Sequence, residues 1–412
     1  MDIGFGEAIL LFGGLLAVAA ALSGVMRGTV LSISVLSVAL GIALAAMDVV
    51  EVDAKDQAVV SLVELALILT LFSDGMFVER ELLRTHWGPV ARAIVLAMPI
   101  TLGLLALAAK GLFPEFSWAE AFLLAAVLTP TDPVVTSSVV TAQRVPEKVR
   151  HTLNLESGLN DGLALPFVLF FLVLATPGGD AGTEATKLLG EAAFGAVVGV
   201  VLGMLGGRLH HHLPGGGLTP RYEGIYALGF GLVAFGLADV TVGNGLIAAF
   251  VAGIAMGAAE RKVPDAFVDF SENVSAIAQV LTFFVFGALI VATGYEGDVW
   301  RLLVFVPFAL LVARPAAVLL AYLRERLPMP HKLFIAWFGP KGVASMLFAL
   351  FVLNTSDVAE GTLIFDVAAF TILVSILAHG LTDTVGARWI ERRMGGRSEE
   401  VSAGPLSTPG LD

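Results

Sequence analysis

The chain contains no cysteine, which excludes disulfides and thiolate metal sites while leaving the redox compartment open. Charge is scarce as well: 15% of the 412 residues are charged and 57% are hydrophobic. A soluble domain carries about 25% charged and about 45–50% apolar residues. No basic stretch precedes the first apolar run, so residues 7–24 read as a membrane span and not as a cleaved signal peptide. The net charge of −12 carries no meaning for nucleic acid in such a chain, and no nucleic-acid partner is expected.

What the chain has in excess is apolar runs of about 20 residues, each long enough to cross a hydrocarbon core. They fall at 7–24, 28–47, 57–76, 89–109, 119–140, 156–176, 188–206, 222–240, 243–259, 274–293, 299–321, 332–353 and 361–387. The expected fold is therefore an all-α polytopic membrane protein with 13 transmembrane helices. The 45 glycines suit close helix packing in lipid. The tail beyond Arg397 is rich in Ser, Gly and Pro and reads as disordered, with no soluble regulatory domain appended. With the N-terminus outside, the inner loops hold 18 Lys and Arg, while the outer loops hold 4: Lys55, Lys110, Lys187 and Arg301. The positive-inside rule expects that bias for a cytoplasmic C-terminus.

Two spans are interrupted. The fifth carries LTPTDPVVTSSVV from Leu128, and the twelfth carries WFGPKGVAS from Trp337. Seven spans separate them, an odd offset, so the two segments cross the membrane in opposite directions. Broken helices at corresponding positions of two inverted halves point to the binding site of a secondary transporter. No residue-level repeat is read beyond that placement.

The prolines suggest why the penalty is tolerated. Pro130 and Pro133 deprive the carbonyls of Ala126 and Thr129 of their helical partners. Such carbonyls survive only when buried in protein or facing water, and they are hard ligands for a dehydrated alkali cation. Asp132 can cap a half-helix restarting at Pro133; the plainer alternative is a structural proline kink with a capping Asp. In LNLESGLNDGLALP, Glu156 and Asn160, and likewise Ser157 and Asp161, are i, i+4 neighbours on one helix turn. The run beyond Leu163 is apolar, so Asp161 lies well inside. Desolvation favours a carboxyl's neutral form, which lets one group hold either a proton or a cation in competition.

Arg314 stands alone in the apolar eleventh span, where an unpaired guanidinium is too costly to leave without a carboxylate. Glu156 is the expected partner; the alternative is that Arg314 snorkels to the surface. Lys341 in the second break is expected to balance charge or hold the crossing of the broken helices, and not to bind the ion. Glu64 and Asp74 on the third span are possible further ligands. Asp74, near the cytoplasmic end, is as readily a water-facing residue, and Glu64 as readily a packing partner. His210–His212 read as a solvated loop and Asp366 as incidental.

Taken together, Thr131-Asp132-Pro133, Asn160-Asp161 after Glu156-Ser157, Arg314 and the 339–345 segment resemble the monovalent cation:proton antiporter family. The resemblance is to its sodium/proton exchanger branch, which holds the NhaP-type antiporters and the sodium/hydrogen exchangers. It implies two inverted repeats with crossed broken helices, a cell-membrane homodimer and elevator-like alternating access. It also implies dimerisation-domain helices at 1–88, a linker helix and further dimerisation-domain helices at 177–298, core helices at 89–176 and 299–390, and a short disordered cytoplasmic tail at 391–412. Asp161 would be the ion- and proton-binding carboxylate. Asp132, Ser157, Thr131 and Thr129 would complete a Na+ site, and Asn160, Glu156, Arg314 and Lys341 would support it. Asn160 in place of a second aspartate implies electroneutral exchange of one cation for one proton. No cofactor is implied beyond the transported Na+, Li+ or K+ and H+. Relatives carry an acid directly after the Leu-Phe of the third span, where this chain has Ser73 and then Asp74. They also show Leu-Arg where this chain has Pro340 and Lys341.

K+/H+ exchange is the near alternative. A catalytic Asp132–Asp161 dyad of an intramembrane aspartic protease is remote, because no Gly-x-Gly-Asp motif is present. Ser157 likewise lacks a Gly-x-Ser-Gly context, and no intramembrane His partner is read for it. A cation channel would be built around one symmetry axis, which inverted breaks do not suit.

Overall fold

The computed structural model describes residues 10, 12–18, 20–21, 33–78, 87–132, 145–177, 181–209, 218–259, 265–354 and 358–402. All regular structure among them is helical. We label the helices α1 (Ile33–Ala46), α2 (Gln57–Met76), α3 (Trp87–Leu112), α4 (Trp118–Val127), α5 (Glu147–Ala175), α6 (Ala181–Leu209) and α7 (Pro220–Asp239). They are followed by α8 (Gly245–Ala259), α9 (Asp265–Thr293), α10 (Val299–Ala321), α11 (Met329–Trp337), α12 (Val343–Asn354) and α13 (Gly361–Ser402). Seven described helices are long and apolar enough to cross a membrane. Leu189, Val197, Val201 and Leu205 of α6 are among the many large apolar side chains left on the outside. A water-soluble monomer rarely shows so much.

One group of helices packs α6, α7 and α8 together, sets α8 against α2, and sets α1 against α9. Close approach here depends on glycine. A methyl at Gly195, Gly199 or Gly203 of α6 would run into the Asn244, Ala248 or Ala252 carbonyl of α8, a small-residue stripe at a spacing of four. The other group joins α3, α4 and α5 and sets α12 against α13. The groups meet where Phe250 of α8 lays its ring on Gly162 of α5 and where Thr293 Oγ1 of α9 donates to Asp366 Oδ1 of α13 at 2.7 Å. Asp366 is thus a buried bridging group and not incidental.

Helices α3 and α10 each contain a π-helical turn, at Ala93–Ala97 and Ala309–Ala313. The two turns begin the related sequences AIVLAMP and ALLVARP, seven spans apart. A residue-level repeat therefore exists where none is read from hydropathy. Its proline explains the turn: Pro99 and Pro315 lack an N–H and clash with the carbonyl four residues back, and a π turn relieves both demands.

Helix α13 continues to Ser402, past Arg397, where a disordered tail is expected; residues 391–402 belong to the helix. Pro133, with the half-helix expected to restart there, lies outside the described residues, as do His210–His212 and 403–412.

Candidate functional site

Helix α4 is held at its start by a capping box, in which Glu120 N donates to Ser117 Oγ at 3.2 Å and Ser117 N donates to Glu120 Oε2 at 2.7 Å. It stops at Val127, before either proline. Leu128 N closes on Leu124 O at 3.0 Å, and Thr129 N closes on Ala126 O at 3.3 Å. The Ala126 carbonyl is therefore satisfied and not freed, because the helix tightens by one turn as it ends. Residues 130–132 then carry no regular secondary structure.

The second break spans 338–342, between α11 and α12, and the two breaks bond to each other. Asp132 N donates to Pro340 O at 2.9 Å, and Val343 N donates to Asp132 Oδ2 at 3.0 Å. Asp132 thus caps α12, across the crossing, at the end where a helix carries partial positive charge. Lys341 makes the reciprocal contact, its Nζ donating to Thr129 O at 3.3 Å and Pro130 O at 3.2 Å. The freed Thr129 carbonyl, expected to face a cation, is held by this ammonium. Thr129 Oγ1 turns back to Ala125 O at 2.7 Å.

One turn of α5 grips the first break. Asn160 Nδ2 donates to Thr131 Oγ1 at 2.7 Å, Thr131 N donates to Asn160 Oδ1 at 3.3 Å, and Ser157 Oγ donates to Thr131 O. On the same turn Glu156 accepts from Arg314 Nη1 at 2.8 Å; both side chains are buried, at 5% and 9% exposure. Arg314 therefore does not snorkel. Its guanidinium lies where a Gly339 side chain would stand, and Asp132 does the same at Gly342. Gly342→Ala is expected to cost about 1–3 kcal/mol of stability through overpacking and to lower transport, measured by thermal unfolding in detergent. An unchanged midpoint would mean that the crossing yields.

Asp161 is buried, and its carboxyl lies within hydrogen-bonding reach of the Asp74 carboxyl from α2. Asp132 is close enough to both to act on them electrostatically. Asp161 Oδ1 and Asp74 Oδ2 are buried and have no hydrogen-bond partner among the described residues. Asp74 is thus part of the cluster and does not simply face water. A proton held between two such carboxyls would join them. Glu64, by contrast, is exposed on α2, and the carboxylate that acts on it is Asp239, away from this cluster. A residue missing from the sequence reading is His379 of α13, buried within the span and bonded to Ser375, not to Ser157.

Residues 13–386 match the family model described as sodium/hydrogen exchanger, transmembrane. The K+/H+ antiporter NhaP of Alkalimonas amylolytica is 26% identical over 84% of this chain and 59% of its own length. The K+/H+ antiporter NhaP2 of Shewanella sp. (strain MR-4) is 27% identical over 79% and 56%. A Na+/H+ antiporter of Schizosaccharomyces pombe is 30% identical over 68% and 67%. The chain thus spans less than two thirds of the length of the first two relatives. The solved structure of the sodium proton antiporter MjNhaP1 from Methanocaldococcus jannaschii at pH 8 superposes with a TM-score of 0.77 at 21% identity, covering 93% of this chain and 98% of that one.

Proposed function

The chain belongs to the sodium/hydrogen exchanger family, and from that membership we propose that it is a secondary transporter exchanging a monovalent cation for a proton. Na+ is the cation, with Li+ accepted in its place, and the exchange is electroneutral at one for one. The observation that carries the reading is the pairing of the Asp74 and Asp161 carboxyls beside the crossed breaks, each with one buried oxygen that meets no hydrogen-bond partner among the described residues. Loss of the shared proton leaves an anionic pair that a dehydrated cation neutralises, and return of the proton expels the cation. Asp132, Ser157 and the Thr131 region complete the site, while Asn160, Glu156, Arg314 and Lys341 hold its frame.

The chain acts as a homodimer in the cell membrane, with 13 crossings, the N-terminus outside and the C-terminus cytoplasmic. Helices within 1–88 and 177–298 form the dimerisation domain. Those within 89–176 and 299–390 form a core that moves as an elevator. K+ is the second candidate, because two relatives bear K+/H+ antiporter names.

The test is a proteoliposome assay with a preset pH gradient and an internal pH dye. Addition of Na+ or Li+ is expected to move the internal pH, with K+ weaker. A response to K+ alone would change the cation. Silence toward all three cations, from folded protein, would overturn the exchange reading.

A further inference from the structure

The second break is held from behind by α13. Ser375 and His379 sit one turn apart on that helix, and both are buried. The imidazole stacks on the Trp337 indole with ring centroids 4.8 Å apart. His379 Nε2 is 2.9 Å from the carbonyl of Trp337, the last residue of α11. Nδ1 lies 3.2 Å from Ser375 Oγ and 2.7 Å from Ser375 O. Ser375 Oγ in turn accepts from Lys341 N at 2.9 Å.

A carbonyl only accepts, and each ring nitrogen meets one: Nε2 meets Trp337 O and Nδ1 meets Ser375 O. A neutral ring carries a single hydrogen, so it donates to one of the two carbonyls at a time. Ser375 Oγ accepts from Lys341 N with either tautomer, so the contacts run from Lys341 N through Ser375 Oγ to the His379 ring and on to Trp337 O. They tie the last carbonyl of α11 to the backbone of the residue whose ammonium reaches Thr129 and Pro130.

We propose that Ser375 and His379 are positioning residues for the cation site. They touch neither cation nor carboxylates, and act by fixing the Lys341 backbone, and with it where the ammonium sits against the first break. The inference rests on the exchange reading above.

The experiment measures half-saturating Na+ and maximal rate in proteoliposomes, together with stabilisation of the detergent-solubilised protein by Na+ and Li+. Ser375→Ala removes the link to Lys341 and is expected to raise half-saturating Na+ by about three- to ten-fold, the effect of one hydrogen bond. Its maximal rate and its melting temperature without cation should change little. Ser375→Thr, which keeps the hydroxyl, should restore the wild-type value. His379→Gln keeps a donor toward Trp337 O but offers Ser375 a different partner, and Ser375→Ala combined with it should be no worse than the weaker-binding single variant. Wild-type cation affinity in Ser375→Ala would overturn the proposal, as would a fall only in maximal rate or folded yield. Additive effects in the double variant would overturn it too. If wild-type protein moves no protons on cation addition, it is the exchange reading that fails, a result the same plate of liposomes distinguishes.

Discussion

Replacing Asp161 by Asn is expected to reduce cation-triggered proton movement to the level of empty liposomes. The amide keeps the volume and a hydrogen-bonding group, but it neither takes up a proton nor offers negative charge to a cation. Asp161 is buried on a helix that also anchors Thr131 through Ser157 and Asn160, so its surroundings are rigid and water cannot replace the lost charge. Asp74→Asn is the more informative companion. It leaves Asp161 in place but removes the carboxyl beside it. Exchange should persist in that variant with half-saturating Na+ raised about ten-fold or more, the equivalent of at least one lost charged contact. The internal dye reads both variants in one series. Proton movement of wild-type size in Asp161→Asn would move the proton site to Asp74 or Asp132.

The second large effect is on stability. Glu156→Gln leaves the Arg314 guanidinium buried without its carboxylate, and Arg314→Met leaves the Glu156 carboxylate buried without its cation. Breaking a buried pair from one side costs about 3–5 kcal/mol, whereas removing both charges is often close to neutral. The pair here has little room to rearrange. Arg314 is flanked by Gly339, where no side chain fits, and a cavity of about 10 Å³ lined by Glu156, Asn160, Thr129 and Arg314 is the space beside it. Each single variant should therefore melt well below wild type in detergent, and the double Glu156→Gln, Arg314→Met variant should recover most of the loss. Single variants that melt with wild type would show that the pair is dispensable to the fold and serves transport alone.

Much of this site is legible in the sequence because burying charge in lipid leaves few options. Arg314 in an apolar run demanded a carboxylate, and Glu156 is the carboxylate it meets. The two proline-marked breaks announced a crossing, but not which helix end each charge would serve. Asp132 reads as the cap of its own restarting helix, which lies outside the described residues; that its Oδ2 caps α12 is known only from the packed structure, which brings that N-terminus to it. Asp74 is one position beyond the acid expected on the third span. A shift of one residue turns a side chain by about 100° on a helix, so the linear pattern alone could not decide that it still meets Asp161. His379 left no signal. A single polar residue in an apolar helix acquires its meaning from Trp337 and Lys341, both brought to it by the fold.

The π turns of α3 and α10 set a rule for changing the lengths of those helices. Each carries a surplus residue compared with an ordinary α turn. Deleting one residue within Ala309–Ala313 would remove that surplus and restore regular winding with little net rotation, so Arg314, the first residue after that turn, would keep nearly its facing toward Glu156. The same deletion in a regular stretch of α10 would swing everything on one side of it by about 100° about the helix axis. A gap of one residue in an alignment at the π turn is thus a change of winding, while elsewhere in the helix it is a change of facing.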